Sequence, residues 1–260
     1  MKLYLILFLL FYSLDLVAQE SIQVYSPYDS PPYVLNLEKG EGLVFDFVKE
    51  LNETFKGKYH FVANFVTRGR LKIIFDRKDF AMIVPFVNPV WFDDMAEKKF
   101  LWTQEISKDC NVIIYRHDKP LHIKKLDDLT GLSTSVVNGQ LNINIQKLYD
   151  QKKIRVENAN NVVLNFLKLS KRRVDFLVIG YTLADYIIRN NKLFNLEIVE
   201  TPVDVFNRKI LVFSKKDARL GAVLRDQLSL MIKNGKIQKM FNKYELNSHP
   251  SICNNKLVIQ

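Results

Sequence analysis

A helix–loop–strand pattern that occurs twice is the strongest constraint on how this chain can fold. Residues 70–84 (RLKIIFDRKDFAMIV) and 166–180 (FLKLSKRRVDFLVIG) share an apolar helix end, a basic loop, an Asp-Phe pair and an apolar strand. The two pairs begin at Asp79 and Asp175, 96 residues apart. Because a repeated helix–strand unit has to bury its apolar face against a neighbouring layer, the echo predicts two lobes of similar α/β topology.

Strand and helix patterns also alternate along the rest of the chain. Leu43, Phe47, Leu51 and Phe55 recur every four residues, which predicts one apolar helix face. Strands are predicted over 22–26, 59–66, 80–84, 112–115, 133–137, 176–179, 196–199 and 210–213, and helices over 43–55, 70–75, 140–149, 162–169, 182–189 and a C-terminal pair. The 260 residues are 48% hydrophobic and 25% charged, which excludes a disordered chain and a protein with several membrane spans.

The first 18 residues predict a secretory signal peptide. Lys2 precedes an apolar stretch from Leu3 to Leu14, and Ala18 precedes Gln19. Twelve residues rise about 18 Å as a helix, which is short of the roughly 30 Å hydrocarbon core of a bilayer. An uncleaved anchor is the alternative. We expect a mature, exported protein over residues 19–260, located in the periplasm.

Export changes the interpretation of charge and cysteine. The chain has 38 Lys and Arg against 28 Asp and Glu, a net charge of +10. Outside the cytoplasm this excess indicates acidic ligands or anionic envelope surfaces rather than nucleic acid, or simply a solvated surface, which the scattering of the basic residues along the chain favours. Cys110 and Cys253 are the two cysteines, and in an oxidising compartment they predict one long-range disulfide, with two free thiols as the alternative.

Five motifs in order resemble the family 3 extracellular solute-binding proteins, the periplasmic substrate-binding components of ABC transporters. They are SPPY (30–33), GLVFDFVKEL (42–51), LDDLTGLSTSVVNGQ (126–140), RRVDFLVIG (172–180) and KNGKIQKMFNKY (233–244). The resemblance covers nearly all of residues 22–244. It implies an α/β fold of the type II periplasmic binding protein class, with two lobes that close on a ligand like a Venus flytrap.

The resemblance also implies where the lobes divide. Lobe one would comprise residues 19–111 and 206–260, and lobe two residues 112–205. Two hinge-crossing strands, near 110–115 and 203–209, would connect them. A solute would lie in the cleft between the lobes and favour their closed arrangement.

The sequence departs from the family at the positions that hold an α-amino acid. The arginine for the carboxylate is replaced by Ala96, and the aspartate for the ammonium group by Gly180. A family aspartate in the first loop corresponds to Pro27, and a Ser or Thr after the helix-start glycine corresponds to Gln140. Unpaired ligand charges in a partly dry cleft would cost several kcal/mol. We therefore expect a small polar or anionic solute other than a standard α-amino acid.

The candidate ligand contacts are aromatic, amide and guanidinium side chains at strand ends and loops. Aromatic rings there can cover a ligand and exclude water, and packing between the lobes is the alternative for each of them. Arg70 could replace the missing carboxylate contact, with Arg68 as the alternative. Asn138 and Gly139 precede a helix whose free N–H groups favour an anion. The full set is Tyr28, Tyr33, Arg70, Phe86, Asn88, Trp91, Asn138, Gly139, Gln140 and Tyr181.

The sequence offers little support for catalysis. None of the four histidines has metal-ligand spacing, neither cysteine lies in a nucleophile motif, and no Gly-rich phosphate loop is present. We expect no catalytic residue, metal or cofactor, and a monomer that delivers its solute to an inner-membrane ABC permease. A ligand sensor acting on a membrane signalling receptor and a cleft enzyme of dehydratase type are the alternatives.

Overall fold

The architecture is mixed α/β, as the sequence predicts. The computed structural model describes residues 19–76, 80–137, 142–215 and 217–255. Its strands are β1 Glu20–Ser26, β2 Tyr59–Phe65, β3 Ala81–Val87, β4 Leu101–Trp102, β5 Ser107–Arg116, β6 Ser133–Val137, β7 Arg155–Ala159, β8 Leu177–Gly180, β9 Leu196–Ile198 and β10 Asp204–Ser214. Its helices are α1 Leu43–Thr54, α2 Arg68–Phe75, α3 Ile143–Asp150, α4 Val162–Ser170, α5 Tyr181–Asn190, α6 Ala218–Lys233 and α7 Lys236–Lys243, with short 3₁₀ turns at Pro89–Phe92, Leu126–Leu129 and Ser251–Asn254.

Two long strands run through the middle of the main sheet. The strand order is β2-β1-β3-β10-β5-β8, with β4 paired to β10 and β9 paired to β5. Strands β1, β2 and β3 are parallel, whereas β10 is antiparallel to both β3 and β5. β10 pairs with β5 over residues 204–208 and with β3 over 209–214. β10 is therefore shared between β5 at its start and β3 at its end.

Apolar side chains gather into separate groups on either side of these strands. The first core contains Ile22, Phe47 and Phe241, among others, and is built by β1, β2, β3, α1, α6 and α7. The second core contains Val112 and Phe166, among others, and is built by β5, β8, α4 and α5. A smaller group around Phe176 adjoins β6 and α3. Within the described residues, no helix is both long and apolar enough to span a bilayer.

Candidate solute-binding site

An arginine and an aspartate lie face to face where the two long strands meet. In the antiparallel pairing of β5 with β10, Asp109 is opposite Phe206 and Ser107 is opposite Arg208. Both charged residues are buried, with 0% of Asp109 and 4% of Arg208 exposed. Charges that are this well buried require compensating partners, so their hydrogen bonds define the site.

Both carboxylate oxygens of Asp109 accept hydrogen bonds from other groups of the protein. Arg208 donates to Asp109 Oδ2 from Nε at 3.0 Å and from Nη2 at 2.6 Å. Asp109 Oδ1 accepts the backbone N–H of Cys110 at 2.9 Å and that of Thr182 at 3.2 Å. Thr182 lies in the first turn of α5, whose N-cap residue is Gly180. Asp109 therefore joins the start of a helix of the second core to a guanidinium on β10.

The remaining donor of Arg208 reaches the first core. Nη1 donates to Tyr28 Oη at 2.7 Å and to the carbonyl of Phe86 at 2.9 Å, and Tyr28 Oη donates to the same carbonyl. Burial opposes the charge of Arg208, but the neighbouring Tyr28, Tyr33 and Asp109 outweigh it and raise the pKa of Arg208. The guanidinium stays charged and ties β10 to the first core.

Aromatic rings surround the same guanidinium. Its carbon lies 5.2 Å from the ring centre of Phe206, 5.6 Å from that of Tyr28, and 5.8 Å from those of Tyr33 and Trp91. Tyr28 and Tyr33 are stacked with their centroids 4.1 Å apart. Ring faces attract cations, so this cage adds to the stabilisation that the carboxylate provides.

A second guanidinium stands at the edge of this cluster. Arg68, the first residue of α2, lies over the ring of Trp91 with its guanidinium carbon 4.7 Å from the centroid. Burial, together with the charge of Arg208, lowers the pKa of Arg68, and the effect of Tyr28 only partly opposes this. Among the described residues, no carboxylate lies within ion-pair distance of Arg68. The cluster holds two guanidinium groups and one carboxylate.

Tyr28 and Trp91, two of the candidate contacts predicted from the sequence, lie half-buried at this cluster, and a third, Tyr181, is half-buried at the start of α5. Tyr28 bonds to Arg208, and Trp91 lies between Arg68 and Phe206. Tyr181 is the first residue of α5, and its pKa is raised by burial and by the carboxylates of Asp185 and Asp109. None of the three is completely buried, so each keeps some surface accessible to solvent.

Other candidates have different surroundings. Tyr33 and Phe86 are buried in the first core at 2% and 0% exposure, which leaves them almost no surface to offer a solute. Asn88 caps a 3₁₀ turn and donates from Nδ2 to the carbonyl of Asn207 at 2.7 Å. Arg70 is exposed, on the side of α2 that faces solvent. Asn138, Gly139 and Gln140 lie outside the described residues.

Sequence reasoning missed Asp109, Phe206 and Arg208. Phe206, Arg208 and Ile210 alternate along β10, so the arginine occupies an inward position of a strand, and this spacing was the available signal. Its partner could not be found in the same way, because Asp109 is 99 residues away along the chain.

The cysteines and possible metal ligands complete the description of the site. Cys110, next to Asp109 on β5, forms a disulfide with Cys253, with their Cα atoms 5.4 Å apart. In the part of the chain that the structure describes, no group of three or more His, Cys, Asp or Glu side chains could hold a metal ion.

Comparison with known proteins identifies the fold through solved structures. No family model matches the chain, and no curated protein does. A structure described with glutathione import through GshT and the cystine ABC importer TcyBC of Streptococcus mutans has 16% identity and a TM-score of 0.66, over 87% of this chain and 95% of that one. A mutant of the T. maritima protein ArgBP has 20% identity and a TM-score of 0.66, over 86% and 94%.

A sensor protein is similar as well. The sensor domain of a histidine kinase, described as similar to periplasmic binding proteins, has 20% identity and a TM-score of 0.64, over 87% of this chain and 96% of that domain. At these identities the likeness establishes the fold alone. The chain has the two-lobe fold of the type II periplasmic binding proteins, for which the sequence motifs are the first evidence.

Proposed function

We propose that this chain is an exported, non-catalytic, monomeric solute-binding protein that captures a small polar or anionic solute by lobe closure. Residues 1–18 would be removed as a signal peptide, and the mature protein would work in the periplasm with an inner-membrane ABC permease. Lobe one would comprise residues 19–111 and 206–260, and lobe two residues 112–205. The fold supports this proposal, because solved structures with the same fold include the substrate-binding protein of an amino acid ABC transporter.

The excess of positive charge where β5 pairs with β10, here called the junction, is the observation that supports an anionic solute. Arg208 is neutralised by Asp109, whereas Arg68 lies over the ring of Trp91 and has no carboxylate within ion-pair distance among the described residues. A partly buried guanidinium without an acid costs free energy that a bound anion would recover. Arg68, rather than the exposed Arg70, would then make the anion contact, because its planar fork matches a carboxylate or phosphate.

A standard α-amino acid is disfavoured by the same arrangement. Gly180 has no side chain to receive an ammonium group, and a Cβ atom there would lie 3.4 Å from both Asp109 Oδ2 and Arg208 Nη2. Both oxygens of Asp109 already accept protein hydrogen bonds. An ammonium group would therefore meet a guanidinium instead of a free carboxylate.

A sensory role is the second candidate, and the likeness to a histidine kinase sensor domain favours it. The closed lobes would then dock on a membrane signalling receptor instead of a permease. Pull-down with detergent-solubilised membranes in the presence of the identified solute separates the two roles, since the captured partner is either a permease or a receptor.

A thermal-shift screen of residues 19–260 against organic acids, sugars, nucleosides, polyamines and amino acids tests the proposal. A solute at 100 times its Kd adds about 2.7 kcal/mol to the free energy of unfolding and raises Tm by several degrees. We expect an anionic solute to do so and glycine, glutamine and lysine to give no shift. Tight calorimetric binding of any of these three would overturn the exclusion of α-amino acids.

Paired variants on α2 test the anion contact. Arg68→Gln should weaken binding of the solute that the screen identifies by about 10- to 100-fold, because it removes a charge-assisted hydrogen bond. Arg70→Gln, two residues further along α2 and exposed, is the matched control and should leave affinity unchanged. Equal losses in both variants would contradict the assignment to Arg68.

A further inference from the structure

The surroundings of Arg208 have the composition of a binding site for a cation. A carboxylate accepts two of its N–H groups, four aromatic rings lie within 5.8 Å of the guanidinium carbon, and a carbonyl accepts a third donor. Aromatic cages with an acidic group recognise guanidinium and ammonium ligands in general. Here the cation that fills the cage belongs to the protein itself.

The walls of this cage come from both cores. Tyr28 and Phe86 belong to the first core, whereas the N–H of Thr182 and the close approach of Gly180 come from the start of α5. Phe206, Tyr28 and Trp91 are only half-buried, so one side of the cage is partly accessible to solvent. A structural ion pair alone would not need four aromatic rings around its guanidinium.

We infer that Arg208 is the built-in occupant of a guanidinium subsite and that it determines specificity by excluding cationic groups of solutes from the junction. This inference rests on the proposed function, because it concerns the same solute site. The reasoning is steric and electrostatic: the side chain fills the cage and uses the single carboxylate, so a ligand cation finds neither space nor a counter-charge.

Removal of the occupant should turn the cage into a site for free guanidinium compounds. We expect Arg208→Ala to lower Tm by roughly 10 °C, since Asp109 is left buried without its partner. Ethylguanidinium chloride at about 20 times its Kd should then raise the Tm of this variant by roughly 3–7 °C. Ethylurea, which has nearly the same shape and no charge, should not raise the Tm of this variant. Sodium chloride keeps the ionic strength of the two samples equal.

Two controls test whether the effect belongs to the cage. Arg225→Ala removes an arginine from an exposed pair with Asp226, and neither this variant nor the wild type should be stabilised by ethylguanidinium. The double variant Asp109→Ala with Arg208→Ala should lose the response while melting above Arg208→Ala, because no unpaired carboxylate remains.

The outcomes decide whether the cage is a guanidinium subsite occupied by Arg208, without reference to the natural solute. Equal shifts of Arg208→Ala with ethylguanidinium and ethylurea would overturn it, as would stabilisation of the wild type by ethylguanidinium. If Arg208→Ala does not fold alone, the refolded yield with each compound replaces Tm, and equal yields overturn the inference. Rescue of Arg208→Ala without any wild-type hit in the solute screen would support the inference and count against the proposed function. A wild-type hit in the solute screen without rescue of Arg208→Ala would support the proposed function and overturn the inference.

Discussion

Single carboxylates hold loop and strand ends together in this molecule. Asp175, whose side chain is 18% exposed, accepts the backbone N–H of Ser133 at 2.9 Å, its hydroxyl at 2.7 Å, and the ammonium group of Lys119 at 2.8 Å. Partial burial opposes ionisation, but these donors lower the pKa of Asp175 to about 2. In the second of the two repeated Asp-Phe pairs, the aspartate therefore has a structural role. The aspartate of the first pair, Asp79, lies outside the described residues.

Asp175→Asn should lower the free energy of unfolding by about 2 kcal/mol at neutral pH, because it weakens charge-assisted hydrogen bonds. The native carboxyl binds its proton more weakly than the unfolded one. Its contribution is therefore complete above about pH 4 and lost as the pH falls towards 2. Urea unfolding at pH 7 and near pH 2.5 measures the gap between the wild type and Asp175→Asn. A difference in the free energy of unfolding that stays equal at the two pH values would contradict this assignment. The exposed Asp150→Asn is the control and should differ little from the wild type at either pH.

At the scale of elements, one buried carboxylate organises the loop between the 3₁₀ turn and β4. Asp94 accepts the N–H groups of Lys98, Lys99 and Phe100 at 2.7, 2.9 and 3.1 Å, and the indole N–H of Trp102 at 2.8 Å. Burial acts against its charge, but the four donors prevail and lower the pKa of Asp94. The segment that contains Ala96 is thereby fixed as a structural loop around a single side chain.

Replacement of this carboxylate should therefore unfold the loop locally. Asp94→Ala leaves four donors unsatisfied, and we expect a loss of about 3 kcal/mol, or roughly 6–12 °C in Tm, together with a shift in Trp102 fluorescence. The neighbouring Asp93→Asn is the control, because the side chain of Asp93 is 74% exposed and pairs only with Lys72 at 3.4 Å, and because Asn tolerates the left-handed backbone (φ 54°) of this position. Similar losses in the two variants would show that Asp94 does not organise the loop.

Apolar periodicity made most elements predictable. Leu43, Phe47 and Leu51 are fully buried along α1, as their spacing predicts, and Phe55 at its end is 4% exposed. The predictions for β5 and β10 were too short, because the sequences 107–111 and 204–209 carry charged and amide residues where the strands cross the junction. β7 was missed because its residues are mostly polar and exposed, and because it lies at the edge of a two-stranded sheet.

The site was less predictable than the elements for a related reason. Tyr28 and Trp91 could be identified because they follow predicted strands at loop positions, which the fold brings to the junction. The partnership of Asp109 with Arg208 depends on the register of two strands, and that register follows from packing of the whole sheet rather than from local sequence.

At the scale of the whole molecule, the tail after α7 adds a link between the two cores. Leu246 packs in the first core, whereas Cys253 packs in the second. Between them the carbonyl of Ser248 accepts the N–H of Lys108 at 2.8 Å, and beyond them Asn255 donates to the carbonyl of Glu200 at 2.7 Å. The disulfide fixes this tail to β5, one residue from Asp109.

Replacement of both cysteines by alanine tests this link. Loop closure over the 143 residues between Cys110 and Cys253 predicts a loss of about 3–5 kcal/mol in the free energy of unfolding, because the unfolded chain gains freedom. That effect alone would leave the native tail in place. We expect the tail to be released as well, since only a few hydrogen bonds and the packing of Ile252 and Leu246 remain.

Limited proteolysis under native conditions separates the two effects. Cleavage within residues 246–255 of the double alanine variant, with the wild type resistant, would show that the disulfide holds the folded tail against the second core. A variant that is less stable yet equally resistant would show that the disulfide acts only by restricting the unfolded chain. An unchanged Tm would contradict both effects. Because the tail meets β5 beside Asp109, its release should also loosen the Asp109–Arg208 junction and lower affinity for the solute found in the screen.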